Sequence, residues 1–150
     1  MIFISHRGNI NSRIEERENS PSYILEALSI GFDVEVDVWF VDGKFFLGHD
    51  EPKYEVDSEF LENEKICCHA KNVEAILHMM NFNIHYFWHE TDKVTLTSKN
   101  YIWAYPAPKY PTFSIGVMPE IFESDLTNCT GICSDYILKY KQIYDKADNI

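Results

Sequence analysis

One short run, Asp33-Val34-Glu35-Val36-Asp37-Val38, sets the chemical question for this chain. Extended backbone turns successive side chains to opposite faces, so the valines share one face and the acids the other. On an antiparallel edge this would be an ordinary strand with one wet side. In a parallel sheet both faces are normally covered, and such a strand should read as continuously apolar. Carboxylates this close repel one another and are costly to bury unpaired. A divalent, oxygen-seeking cation such as Mg²⁺ or Ca²⁺ would relieve both costs. A solvated face would relieve them without a metal, and the spacing alone leaves the two readings open.

Two histidines stand near this run. His6-Arg7-Gly8 directly follows a first apolar run, and residues after strand ends are where α/β proteins build sites. Arginine offers a forked donor suited to phosphate, and histidine trades protons near neutral pH. His49, in Leu47-Gly48-His49-Asp50, is a loop histidine with an acid beside it that could orient the ring. Taken singly, either could be an incidental turn or loop residue.

The elements that would position these groups are short and alternate. Strand candidates fall at 2–5, 34–39, 66–70, 86–89, 101–104, 114–118 and 131–134. Ser20-Pro21 opens a helix with Tyr23, Ile24, Ala27 and Leu28 as its apolar stripe, and Gly31 ends it. Residues 41–44 form a hairpin turn, and Asn72 caps a second helix with Val73, Ile76, Leu77 and Met80 on one face. A closing helix over roughly 135–146 presents Tyr136, Ile137, Tyr140, Ile143 and Tyr144. The acid-rich stretch 50–64 reads as a solvated excursion. Trp39, Trp88 and Trp103 lie on or beside strands and are expected in the core, with Trp103 and Tyr105 also candidates to line a pocket. Alternating strand and helix predicts an α/β protein with a mainly parallel sheet and abbreviated crossovers.

With 150 residues the chain is read as a single domain over 1–150. Its 13 Lys plus Arg against 24 Asp plus Glu give a net charge of −11, which argues against non-specific binding to nucleic acid. No apolar run approaches the ~20 residues of a membrane span, so no stable membrane insertion is expected. The N-terminus has no signal-peptide pattern, which makes a cytoplasmic protein the expectation. Cys67, Cys68, Cys129 and Cys133 are then read as reduced thiols.

Taken as an ordered set, these residues resemble the opening signature of the glycerophosphodiester phosphodiesterase family, within the phospholipase-C-like phosphodiesterases. The set runs His6-Arg7-Gly8, Glu18-Asn19-Ser20, Glu35-x-Asp37, Asp42-Gly43 and Gly48-His49-Asp50, in the family's order and at similar spacing. Weaker echoes are His69-Ala70-Lys71, where the family has Glu-x-Lys, and Ser134-Asp135, which resembles the Thr-Asp ending the last strand.

The resemblance implies a compact, abbreviated TIM-type (β/α) barrel with fewer than eight complete βα units, and hydrolysis of a small phosphodiester with one divalent cation. Carried over by position, it implies His6 and His49 as the general base and acid. Glu35 and Asp37 would hold the metal, Arg7 and Lys71 would grip the phosphate, and Glu18 would support the site. The family's third metal carboxylate falls at His69. A neutral nitrogen there would shift preference from Mg²⁺ or Ca²⁺ toward Mn²⁺ or Zn²⁺. His89 or Glu90 are alternative third ligands. The competing functions are a catalytically silent phosphoester-binding module and a phospholipase-D-like lyase of the same superfamily.

Overall fold

A computed structural model describes residues 1–147. Strand β1 (Ile2–His6) lies at the centre of a ten-stranded mixed sheet. On one side it pairs in parallel with β2 (Asp33–Val41), which pairs in parallel with β5 (Ile66–Ala70), and that with β6 (His85–Trp88). On the other side run β10 (Cys129–Ser134), β9 (Ser114–Val117) and β8 (Ile102–Ala104), also parallel. Antiparallel additions are β3 (Lys44–Leu47) on the far end of β2, β4 (Tyr54–Val56) on β3, and β7 (Val94–Leu96) on β8. Each of the seven segments read as strands from sequence contributes one of the parallel strands.

The TIM-type barrel expectation does not hold. The described residues form a curled mixed sheet, a half-barrel, with only four short helices among them: α1 (Pro21–Ser29), α2 (Ser58–Leu61), α3 (Val73–Met79) and α4 (Ile137–Ala147). The physical reason lies in the connections. Residues 105–113 between β8 and β9 carry Pro106, Pro108 and Pro111, which remove backbone donors and disfavour a helix. Residues 118–128 hold only a 3₁₀ turn at Pro119–Ile121. Between β6 and β8 no ladder forms. Ser98 N–H donates to Tyr86 O (2.8 Å), and Thr95 Oγ1 donates to Trp88 O (2.9 Å).

The helices cover the outer face of β1, β2 and β5. Val34, Val36 and Val38 are fully buried there against Ile24 and Ala27 of α1, Leu61 of α2, Ala75 and Met79 of α3, and Ile137 of α4. Burying each such aliphatic side chain contributes about 1.5–3 kcal/mol, and Ile24→Ala would cost about 2–5 kcal/mol. Pro21 occupies the first turn of α1, and Gly31 follows its end at φ 98°. Ser20 stands at the cap without a side-chain cap bond; its backbone carbonyl accepts from Tyr23 and Ile24. Asn72 does cap α3, accepting from Ala75 N–H.

Two local readings need correction. Helix α3 buries Ala75 and Met79, four residues apart on one face, and leaves Val73, Leu77 and Met80 exposed, a narrower stripe than its apolar content suggests. The acid-rich stretch 50–64 is not a bare excursion. It supplies β4 and α2, and Leu61 is fully buried.

The concave face has its own, smaller core of Ile4, Cys67, Phe87, Trp103, Ile115, Val117 and Cys133. All four cysteines are free thiols, and burial pushes Cys67, Cys68 and Cys133 upward in pKa. Among the described residues no helix is long and apolar enough to cross a membrane.

Candidate functional site

Strand register gathers the site. His6 is level with Glu35, Asp37 with His69, and Ser5 with Ser134, which brings Asp135 beside His6. Residues level in adjacent parallel strands face the same side, so the alternating acids of β2 turn inward to meet the side chains of β1 and β5. Asp37 is fully buried and Glu35 nearly so, and the valines on the other face are buried too. The strand has no wet side.

The turn after β1 is built to hold Arg7. Arg7 itself has φ 55°, and Gly8 has φ 95°, where a Cβ would stand 2.8 Å from the Tyr23 ring. Arg7 N–H donates to Glu35 O (2.9 Å), and Asn19 N–H donates to Arg7 O (3.0 Å). Its guanidinium is engaged by acids, with Nε 2.9 Å from Asp37 Oδ2 and Nη1 3.3 Å from Glu18 Oε2. Glu18, buried, also accepts from Asn9 Nδ2 (2.9 Å) and Arg13 Nε (3.0 Å).

His6 Nδ1 lies 2.7 Å from Asp135 Oδ1. A carboxylate only accepts, so Nδ1 carries the hydrogen, and Nε2, 3.9 Å from Glu35 Oε2, is the basic atom of the neutral ring. Burial opposes a charge on this ring, but the Asp135 bond and the Glu35 charge outweigh it, and the pKa of His6 is raised. Asn9 Nδ2 donates to Asp135 Oδ1 as well (2.9 Å), fixing the carboxylate that fixes the histidine.

Glu35, Asp37 and His69 offer ligand atoms that all lie within 4.8 Å of one another. At that range two carboxylates repel by on the order of 3 kcal/mol at an effective dielectric of about 20. Burial and then the Asp37 charge push the Glu35 carboxyl upward. Burial would raise Asp37 too, but its contact with His69 and the charges of Arg7 and Lys71 hold it well below the usual carboxylate range. Asn19 Nδ2 donates to Asp37 Oδ2 (2.9 Å), whereas buried Asp37 Oδ1 and Glu35 Oε2 have no hydrogen-bond partner.

His69 fits a ligand role. Its Nε2 donates to the His89 carbonyl (2.9 Å), so in the neutral ring Nδ1 is bare. That bare nitrogen faces Asp37 Oδ1 at 3.2 Å and Glu35 Oε1 at 3.9 Å. Three electron pairs then face one another, a conflict that a proton on Nδ1 or one shared cation removes. The donor set of two carboxylates and one imidazole, with unpartnered carboxylate oxygens, suits a divalent ion of the Mn²⁺ or Zn²⁺ type. His89 and Glu90 stand outside this cluster. His89 contributes only its carbonyl.

The site opens into a cavity of about 670 Å³. Four of the six histidines (His6, His49, His69 and His89) line it together with Arg7, Arg13 and Lys71. In a chain of net charge −11 this is a concentration of potential cations in one place. Lys71 Nζ lies 3.6 Å from Asp37 Oδ1, and Trp103, buried, lines the same cavity. His49 sits at the rim, exposed, with Nδ1 2.7 Å from Asp50 Oδ1. Its loop is tethered to the acid-bearing strand: Gly48 N–H donates to Asp37 O (3.1 Å), and Trp39 Nε1 donates to Gly48 O (2.7 Å). A Cβ on Gly48 would collide with the Glu51 carbonyl.

Of the residues assigned a site role from sequence, His6, Arg7, Glu35, His49, His69, Lys71 and Trp103 line this cavity, Asp37 is buried beneath it, and Glu18 reaches it through Arg7. Sequence reasoning assigned no role to Asp135, Asn9, Asn19 or Arg13. Asp135 and Asn19 carried a signal, as parts of the Ser134-Asp135 and Glu18-Asn19-Ser20 motifs; Asn9 and Arg13 carried none. No protein-family model, curated protein or solved structure matches this chain.

Proposed function

We propose that this cavity is the active site of a metal-dependent phosphodiesterase acting on glycerophosphodiesters or similar small phosphodiesters. The observation that carries the reading is the juxtaposition on one wall of a carboxylate-oriented histidine and the Glu35, Asp37 and His69 cluster. A phosphodiester is an anion that repels nucleophiles, and charge grows on its non-bridging oxygens as the bond to phosphorus forms. Arg7 and Lys71 supply fixed positive charge at the cavity floor. A divalent ion held by Glu35, Asp37 and His69 would supply Lewis acidity toward the phosphoryl oxygens.

Neutral His6 takes the proton of the attacking hydroxyl at Nε2, and Asp135 stabilises the imidazolium that results. The new phosphorus–oxygen bond displaces the ester oxygen, which leaves as an alkoxide. A proton from His49 makes it a neutral alcohol. The products are a phosphomonoester and an alcohol when water attacks.

The test is an assay of metal-stripped protein on glycerophosphocholine and bis(p-nitrophenyl) phosphate, with Mg²⁺, Ca²⁺, Mn²⁺ and Zn²⁺ added back singly. Turnover that requires an ion, favours Mn²⁺ or Zn²⁺, and shifts toward Mg²⁺ or Ca²⁺ in His69→Glu is expected. Saturable binding of a diester with no turnover under any ion would replace this reading with that of a silent binding module.

A further inference from the structure

A second part of the cavity lining has a different chemistry, and it meets the acidic cluster where Phe87 stacks on His69. Phe87, Trp103, Tyr105, Pro106, Met118 and Ile121 form it, supplied by β6, β8, β9 and the connections after them. Phe87 and Trp103 are buried, Pro106 and Met118 partly so, and Ile121 and Tyr105 are exposed, Tyr105 to 42% at the cavity rim. Tyr105 is nevertheless held in place twice. Its ring stacks on buried His89 at 3.9 Å between centroids and 12° between planes, and its hydroxyl donates to Glu90 O (3.2 Å). The His89 carbonyl in turn holds His69. Tyr105 is thus a rigid aromatic plate one residue removed from the acidic cluster.

We propose that this plate binds a flat ring carried by one of the two alcohols of the phosphodiester, an aryl or nucleoside group; the inference rests on the phosphodiesterase reading and names its substrate class. Sites of roughly 300–1,000 Å³ enclose ligands well beyond a phosphate with a small alcohol. A polyol laid along this wall would bury hydroxyls against carbon with nothing to bond. A saturated chain would gain contact but leave the pre-oriented ring face unused. Stacking on a fixed aromatic side chain is sequence-tolerant and contributes about 1–3 kcal/mol for a nucleobase, which is about tenfold or more in affinity. Glu90 beside the plate disfavours a second phosphate there.

Three diesters of glycerol 3-phosphate test this, esterified to ethanol, to benzyl alcohol and to the 5′-hydroxyl of adenosine. The metal-loaded full chain should show kcat/KM about tenfold or more higher for the ring-bearing esters. Tyr105→Ala should drop them to the level of the ethyl ester, and Tyr105→Phe should keep the preference. A benzyl ester as good as the adenosine ester assigns a plain aryl ring, and a better adenosine ester assigns a nucleoside. Equal kcat/KM for all three, or a preference that survives Tyr105→Ala, overturns the inference and leaves the phosphodiesterase reading standing. If no ester is turned over with any ion, it is that reading which fails. The plate is then judged by calorimetry on phenyl phosphate against ethyl phosphate. Equal affinities overturn it, and tenfold tighter phenyl phosphate lost in Tyr105→Ala upholds it.

Discussion

The two walls of the cavity are made by halves of one sheet that solve different problems. The half formed by β1, β2 and β5 is backed by helices, buried on both faces, and carries charge inward: His6, Arg7, Glu35, Asp37, His69 and Lys71. The half formed by β6, β8 and β9 has short strands and loop crossovers, and presents rings and aliphatic carbon. Buried charge needs exact neighbours, because a misplaced partner in a low-dielectric interior leaves several kcal/mol uncompensated. That demand is met where the sheet is double-covered. An apolar wall tolerates looser support, and the thinner half supplies it. Under the proposed function, the first half would carry the reaction chemistry and the second the choice of substrate.

The sharpest way to break this division is inside β2. Glu35 and Asp37 are neighbours in the same cluster, yet their environments differ in sign. Removing the Asp37 charge leaves Lys71 without its carboxylate and Arg7 with Glu18 alone, so Asp37→Asn should destabilise the metal-free protein by about 3 kcal/mol. Glu35 is the acid whose charge is disfavoured, and Glu35→Gln should stabilise the same metal-free protein by about 0.5–2 kcal/mol. Both variants should lose metal-dependent turnover by about 10³-fold or more, since several kcal/mol of charge stabilisation depends on the ion. Denaturant melts and assays of the two variants side by side check this. Stability changes of the same sign would remove the proposed asymmetry.

Next in size is the pair that spans the two ends of the chain. His6→Ala should reduce kcat by about 10²–10⁴-fold, the usual worth of a general base. Asp135→Asn should cost about 10–100-fold, because it leaves the ring in place but frees its orientation. The variant should also lower the pKa seen on the acid limb of the pH–rate profile, as Asp135 is among the groups that raise His6. An unmoved acid limb would show that another group sets it.

His49 is the looser partner, exposed and oriented only by its neighbour Asp50. Its role as proton donor matters only when the leaving group needs a proton. His49→Ala should therefore cost about 10²-fold on glycerophosphocholine and under about tenfold on bis(p-nitrophenyl) phosphate, whose leaving group departs unaided. Equal losses on both substrates would assign His49 to binding.

The charged half was the more legible in sequence, and for a physical reason. Acids alternating with valines contradict what a doubly buried strand requires, and the contradiction marks a site. The seven parallel strands were also legible, since short apolar runs punctuated by turn residues recur along the chain. The outer layer was not. A complete barrel typically needs about 250 residues, and no helix stands behind β8 and β9 among the described residues. The resemblance in the first fifty residues pointed to a barrel that the proline-broken connections do not build. Residues 50–64 were obscured by their acids, which surround the few positions, such as Leu61, that pack. Asp135 shows the remaining limit: its partner His6 lies at the other end of the chain, and no local pattern links them.

The smallest predicted effect concerns two histidines at opposite ends of the same sheet. His6, at the cavity, is raised in pKa, whereas His85, at the start of β6, is pushed down to about 4 by burial and then by Lys99. His85 Nε2 is 2.8 Å from Thr97 Oγ1 and the ring rests against Tyr101, with no carboxylate among the described residues paired to it. Between pH 6.5 and 4 the unfolded chain binds a proton that the folded one refuses, so stability contributed by neutral His85 is complete above pH 6.5 and is lost as the pH falls. His85→Gln keeps a side chain able to bond Thr97 but does not titrate. From pH 7 to pH 5 the wild type should therefore lose roughly 2–4 °C more in Tm than His85→Gln, about 1 kcal/mol after discounting for the partial exposure of the ring. Parallel curves for the two proteins would place His85 in an environment as wet as that of His49, and the contrast between the two ends of the sheet would then rest on the cavity alone.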